Sequence, residues 1–164
     1  MAKEKAQKTN AMRMLDRAKV PYRVNYYECE EFIDGVHIAD QLSQPYESTF
    51  KTLVATGKSG AYYVFVIPVA ETLDLKKAAK AVGEKSVELL HVKDIRAVTG
   101  YIRGGCTPIG MKKQYPTVLH SSALQFDEII LSGGCLGAQI FLAPADLGKV
   151  TGAKVTDLLM ENGE

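Results

Sequence analysis

The chain has 164 residues, 46% hydrophobic and 24% charged, enough for one globular domain (1–164) with a substantial core and too few for a second domain. Twenty basic against nineteen acidic residues leave a net charge of +1, which excludes strong whole-molecule attraction to nucleic acid and confines any such binding to local patches. No apolar run approaches the roughly 20 residues of a membrane span, and the lysine-rich start "MAKEKAQKTN" lacks the apolar stretch of a signal peptide, so a cytoplasmic protein without membrane contact is expected.

In chain order, "NAMRMLDRAKV" places Ala11, Met14, Leu15 and Ala18 on one face, which predicts a helix over residues 10 to 19, ended by Pro21. "YRVNYY" reads as a short strand, with Tyr26 and Tyr27 facing opposite ways so that one of them meets a pocket. The acidic, irregular "ECEEFIDG" follows, "NYYECEEF" reading as a rim, then a short helix from Val36 to Leu42 before the break at Pro45. "STFKTLVAT" and "AYYVFVIPV" flank the turn-forming "GKSG", so residues 49 to 68 form the strongest hairpin signal.

"LDLKKAAKAVG" predicts a helix with Leu75, Ala78, Ala79 and Val82 inward, Asp74 as N-cap and Gly83 as C-cap, which turns Lys76, Lys77 and Lys80 outward. "VKDIRAVTG" repeats the pattern with Gly100 as its stop. Strands are expected at Thr117 to His120, Glu128 to Leu131 and Ala138 to Leu142, the last two joined by the turn "SGGCLG"; "HSS" at 120 to 122 reads as a cap. A helix starting near Pro144 and a short helical tail near the C-terminus complete the reading. The only internal echo is "GGC" at 104 to 106 and 133 to 135, too short for a repeat.

The cysteines Cys29, Cys106 and Cys135 are odd in number and form no C-x-x-C pair, against a disulfide framework or a structural zinc site. His37, His91 and His120 add no metal-ligand spacing, and no metal or other cofactor is expected. A thiolate after a Gly-Gly turn, at Cys106 or Cys135, is a possible nucleophile, but no histidine stands near either in sequence, and free cysteine is commonly a packing residue. Lys51 in "FKTLV" shares a strand face with Leu53 and Ala55. It either snorkels from an edge strand or holds a single positive charge in a pocket for a phosphate or carbonyl oxygen. "YIRGGCTPIG", residues 101 to 110, puts three glycines and a proline in ten positions, a composition suited to close backbone approach rather than to filling a core.

Read together, "FKTLV", "PVAETLDLKKAAKAVG", "TGYIRGGCTPIG" and "SGG" at 132 to 134 resemble, in order and spacing, the YbaK-type proteins, free-standing relatives of the editing domain inserted in bacterial prolyl-tRNA synthetases. The resemblance implies an α/β fold with a mixed, barrel-like sheet surrounded by helices. It also implies an aminoacyl-tRNA deacylase that acts in trans, typically removing cysteine from tRNA for proline. In that family the lysine of the "KTL" strand is the essential charge, here Lys51, and a tyrosine ending the first strand corresponds to Tyr27.

On this reading the loop residues Gly104, Gly105, Cys106, Thr107, Pro108 and Gly110, with Ser132, Gly133 and Gly134, cradle the aminoacyl ester and terminal adenosine. Gly105 joins Lys51 and Tyr27 in the catalytic set. Without a Ser-His-Asp set, the resemblance implies that the thiol of a cysteinyl ester attacks its own carbonyl. Lys76, Lys77, Lys80, Lys112 and Lys113 are candidate tRNA phosphate contacts. Many family members follow "SGG" with Lys-Arg-Gly, whereas Cys135, Leu136 and Gly137 stand here. The expected partners are the 3′ end of an aminoacylated tRNA and prolyl-tRNA synthetase. Alternatives from the same residues are a deacylase for another small amino acid such as alanine, a noncatalytic nucleotide- or tRNA-binding module, and a hydrolase with Cys106 as nucleophile.

Overall fold

The computed structural model describes residues 8–161, so most of the lysine-rich start lies outside the described residues. Five helices and eight strands follow in the order α1 (Asn10–Ala18), β1 (Arg23–Tyr26), α2 (Gly35–Gln41), β2 (Phe50–Gly57), β3 (Tyr62–Pro68), α3 (Leu75–Val82), β4 (Val87–Leu89), α4 (Ile95–Thr99), β5 (Thr117–His120), β6 (Ile129–Ser132), β7 (Ala138–Leu142), α5 (Pro144–Thr151) and β8 (Lys154–Thr156).

The strands make two sheets, a three-stranded antiparallel one in the order β1-β7-β6 and a five-stranded mixed one in the order β4-β2-β3-β5-β8. The hairpin read from "GKSG" forms as expected, with Lys51 opposite Ile67 and Ala55 opposite Tyr63. An isolated parallel bridge between Thr49 and Ile130 joins the sheets, reinforced by the Ile130 N–H donating to the Ser48 carbonyl over 2.9 Å. The fold class is the expected mixed α/β one, but the two sheets meet at that seam without closing into a barrel.

Strand β3, in the middle of the five-stranded sheet, is buried on both faces, which is why "YYVFVIP" reads as an unbroken apolar run rather than an alternating one. On β3, Val64 and Val66 point into the main core with α1, β6 and β7, while Phe65 and Ile67 point to a second cluster under α3. All four are fully buried, each contributing about 1.5–3 kcal/mol of hydrophobic stabilisation. On α3, Ala78 and Ala79 bury their methyls against that second cluster, and the Asp74 carboxylate accepts the Lys76 and Lys77 N–H groups at the helix start. Leu75, expected inward, is 42% exposed because the buried stripe of this short helix is narrower than its apolar pattern. In α1 the buried side chains are Ala11, Met12 and Leu15, with Met14 only partly covered and Ala18 in water.

One local expectation is corrected here. The tail near the C-terminus is extended rather than helical: β8 lies parallel to β5, pairing Leu119 with Val155, and the chain then bonds back along 72–74 through Asp74 N–H to Leu158 O (2.8 Å) and Met160 N–H to Thr72 O (3.1 Å). An open sheet edge satisfies this backbone better than a short isolated helix would. The structure also adds β4, three residues on the other edge of β2, which carried no sequence signal.

Candidate functional site: a lysine-bearing apolar cleft

At the seam between the sheets lies a cleft of ≈ 400 Å³. Its floor comes from β2 (Phe50 to Val54) and β6 (Ile130 to Ser132), its walls from Ile38 of α2 and Ile95 of α4, and its mouth from the 27–35 connection and the glycine loop. Of the residues singled out in the sequence, Lys51, Tyr27, Gly104, Cys106 and Ser132 line it.

Lys51 carries the charge at the floor. Burial pushes its ammonium below the usual lysine range, while the nearby carboxylates of Asp34 and Glu71 pull the other way. Among the described residues it is in no salt bridge. A half-desolvated cation without a contacting counter-ion is poised for an anionic or partly negative oxygen of a ligand. Tyr27 follows the end of β1 with its N–H on the Gly137 carbonyl (2.9 Å), and burial raises its phenol above the ordinary value, so it stays a neutral donor. Ser132 donates its hydroxyl to the Gly104 carbonyl over 3.2 Å, which ties β6 to the glycine loop.

The other loop positions lie behind the cleft wall, and their glycines serve backbone packing. A β-carbon on Gly105 would stand 2.9 Å from Cys135 Cα, one on Gly110 would meet the Asn10 carbonyl carbon at 2.9 Å, and one on Gly133 would meet the Ala138 backbone at 3.0 Å. Gly134, at φ +102°, faces Thr9, whose hydroxyl donates to the Gly133 carbonyl (2.6 Å) while capping α1. Thr107 and Pro108 are buried beneath the loop.

The lysines expected to meet RNA divide. Lys76 and Lys80 are exposed and share a shallow groove with Lys85. Lys77 is held by Asp157 (2.7 Å) and the Leu159 carbonyl (2.7 Å), and Lys112 by the Ala97 carbonyl (2.8 Å). Lys113 is exposed. None of the five lines the cleft.

The thiols are poorly set for nucleophilic attack. Burial pushes Cys106 up to about 12, offset only in part by the Thr99 hydroxyl, and burial also raises Cys135. His120 is buried elsewhere, its Nδ1 accepting from Leu158 N–H at 3.1 Å, and does not line the cleft.

Four polar or aromatic lining residues had no individual role assigned from the sequence. Gln139 sits in a cross-strand row with Asn25 and Ser132, and its amide pairs reciprocally with Gln44 at 2.9 Å in both directions. In "AQIFL" it shares the register of partly exposed Phe141, and only the cover from Gln44 makes it interior. Asp34 caps α2 through the His37 N–H (2.9 Å) and also contacts the His37 ring. At the mouth the Arg103 guanidinium carbon lies 3.9 Å over the Phe32 ring centroid. The acidic, irregular character of "ECEEFID" was the only hint that this stretch lies over a pocket.

A mixed α/β domain whose apolar cleft holds one desolvated lysine beside a glycine loop is the architecture on the page. Residues 35–150 match the family described as the aminoacyl-tRNA editing domain. A protein of Enterococcus faecalis (strain ATCC 700802 / V583), named as a candidate Cys-tRNA(Pro)/Cys-tRNA(Cys) deacylase, EbsC, is 48% identical over 160 residues, covering 96% of this chain and 98% of that protein. A solved structure described as a candidate trans-editing enzyme for prolyl tRNA synthetase superposes with a TM-score of 0.80 at 25% identity, over 95% of this chain and 100% of that one. A hypothetical protein of known structure shares the fold at a TM-score of 0.84 and 22% identity, over 92% and 99% of the two chains. The chain belongs to the aminoacyl-tRNA editing domain family.

Proposed function

We propose that this protein is a cytoplasmic aminoacyl-tRNA deacylase that acts in trans, removing cysteine mischarged onto tRNA(Pro). The observation that carries the reading is the pairing of a desolvated Lys51 with a cleft whose own thiol, Cys106, is held protonated by burial. Such a site offers a positive charge and shape but no strong protein nucleophile, which suits a substrate that brings its own. The relative named for Cys-tRNA(Pro) and Cys-tRNA(Cys) supports cysteine as the amino acid.

In the proposed reaction the cysteinyl sulfur attacks its own ester carbonyl, the bond from that carbon to the ribose oxygen breaks, and the thiol proton passes to the departing oxygen. The products are tRNA with a free 3′ end and a four-membered thiolactone, which water opens to free cysteine. Lys51 anchors the ribose or phosphate oxygen of the terminal nucleotide, Tyr27 and Ser132 border the amino-acid end, and Gly104 lets the backbone approach the ester. Lys76, Lys80 and Lys113 contact the tRNA backbone, and prolyl-tRNA synthetase supplies tRNA choice.

A panel of mischarged tRNAs tests the reading. Rapid deacylation of cysteinyl-tRNA(Pro) with a trapped thiolactone is expected. Intact esters throughout would leave a binding module, and equal rates on alanyl- and cysteinyl-tRNA would make it an alanine deacylase using water.

A further inference from the structure

The mouth of the cleft combines two features that its chemistry leaves unused. One is the 27–35 connection, which carries Glu28, Glu30, Glu31 and Asp34 and of these places Asp34 in the cleft lining. The other is a cation from the glycine loop, Arg103, whose guanidinium carbon lies 3.9 Å over the ring centroid of Phe32. Both partners line the cleft, Phe32 is 40% exposed, and Arg103 is exposed. Phe32 is seated on the loop itself: Gly104 adopts φ +88°, and a β-carbon there would stand 3.1 Å from Phe32 Cδ1. Among the described residues Arg103 is in no salt bridge.

A guanidinium is a flat cation with two faces, and Phe32 covers one. Arg103 is exposed and lines the cleft, so the side of the guanidinium away from the ring is within reach of a ligand. Asp34 lines the cleft and the connection bearing Phe32 is acidic, which disfavours a phosphate strand here more than a neutral planar group. Nucleobases stack on aromatic rings and arginine planes in this way. We propose that Phe32 and Arg103 form a stacking platform for the terminal adenine of the RNA, which lies against the side of the Arg103 guanidinium away from the ring while its ribose points toward Gly104 and Lys51. This assignment rests on the deacylase reading of the cleft, since the base adjoining the scissile ester is the group that reaches its mouth.

The test uses an uncharged RNA minihelix ending in 2-aminopurine instead of adenine, so that binding is read apart from ester chemistry. Quenching of the 2-aminopurine fluorescence on binding wild-type protein is expected. Phe32→Leu and Arg103→Gln should lose the quenching and bind about tenfold more weakly, the size typical of one base stack. A minihelix with an abasic end should bind wild type about tenfold more weakly but lose little further affinity with either variant. Unchanged fluorescence with wild type, or equal losses for base-ended and abasic RNA in the variants, would overturn the platform and leave Phe32 a loop-ordering residue. Thermal midpoints report folding, and if Phe32→Leu fails to fold, the exposed Arg103→Gln carries the test. The two proposals fail separately: quenching without cleavage of cysteinyl-tRNA sinks the deacylase reading, and cleavage without quenching sinks the platform.

Discussion

The backbone of Gly105 lies against that of Cys135 so closely that a β-carbon on Gly105 would stand 2.9 Å from Cys135 Cα and 3.0 Å from its N. The two "GGC" stretches, an echo without meaning in the sequence, are thus packed on each other, and their contact sets the distance between the loop and β6. Gly105→Val should therefore act on stability as well as on substrate, by overpacking worth about 1–3 kcal/mol. For a chain of this size each kcal/mol lowers the thermal midpoint by about 2–4 °C. An unchanged midpoint with lost activity would return Gly105 to a purely substrate-facing role.

Lys51→Ala should lower kcat/KM on cysteinyl-tRNA by about a hundredfold or more, the size of losing one preorganised charge contact to the reacting ester. Folding should not suffer. The folded-state pKa of Lys51 lies below its unfolded value because of burial, so the charged lysine opposes folding at neutral pH, and stability rises with pH between the two values. Lys51→Met should therefore fold at least as stably as wild type near neutrality. If the protonated lysine is required, activity should fall on the alkaline side through a pKa below the usual lysine range, and Lys51→Arg should move that limb upward. An alkaline limb unchanged by Lys51→Arg would detach Lys51 from the profile.

Cys106, pushed up to about 12 by burial, stays a protonated thiol at neutral pH. Cys106→Ser and Cys135→Ser should each retain most of the deacylation rate, and no acyl-enzyme should accumulate. A trapped thioester on Cys106 would reverse this and make the protein a cysteine-nucleophile hydrolase.

Single-turnover deacylation should rank cysteinyl-tRNA far above both seryl- and alanyl-tRNA. A pocket sorting by volume gains only about 1–3 kcal/mol per methylene and would admit alanine as readily as cysteine. Serine is nearly isosteric with cysteine, but its hydroxyl is a poorer nucleophile for closing a strained four-membered ring. Comparable serine and cysteine rates would exclude attack by the substrate's own side chain.

Burial holds His120 below the usual histidine range although Asp157 draws it upward, and its Nδ1 accepts the Leu158 N–H. Protonation must break that bond. With the folded value lower than the unfolded one, stability is full above about pH 6.5 and is lost as pH falls through the folded value. The thermal midpoint of wild type should drop on acidification below pH 6.5, and His120→Asn should flatten that limb at the expense of neutral stability. Identical slopes for the two proteins would place the acid sensitivity elsewhere.

By itself the sequence determined the local elements whose signals are local. Thr117 to His120 and Ala138 to Leu142 are strands with the expected bounds, Asp74 and Gly83 cap α3, and "GKSG" closes the hairpin, because caps, turns and periodicity act over a few residues. It also located Lys51, since a lysine in an apolar strand is conspicuous wherever the strand lies. The tertiary structure decided the rest. The tail became β8 because β5 offered an open edge, and Gln139 became interior because Gln44, 95 residues away, covers it. Most loop glycines turned out to contact α1 or the 133–138 turn, and Phe32 met Arg103 across 3.9 Å. These contacts join segments far apart in the chain, and no periodicity or motif in either partner encodes the other's position.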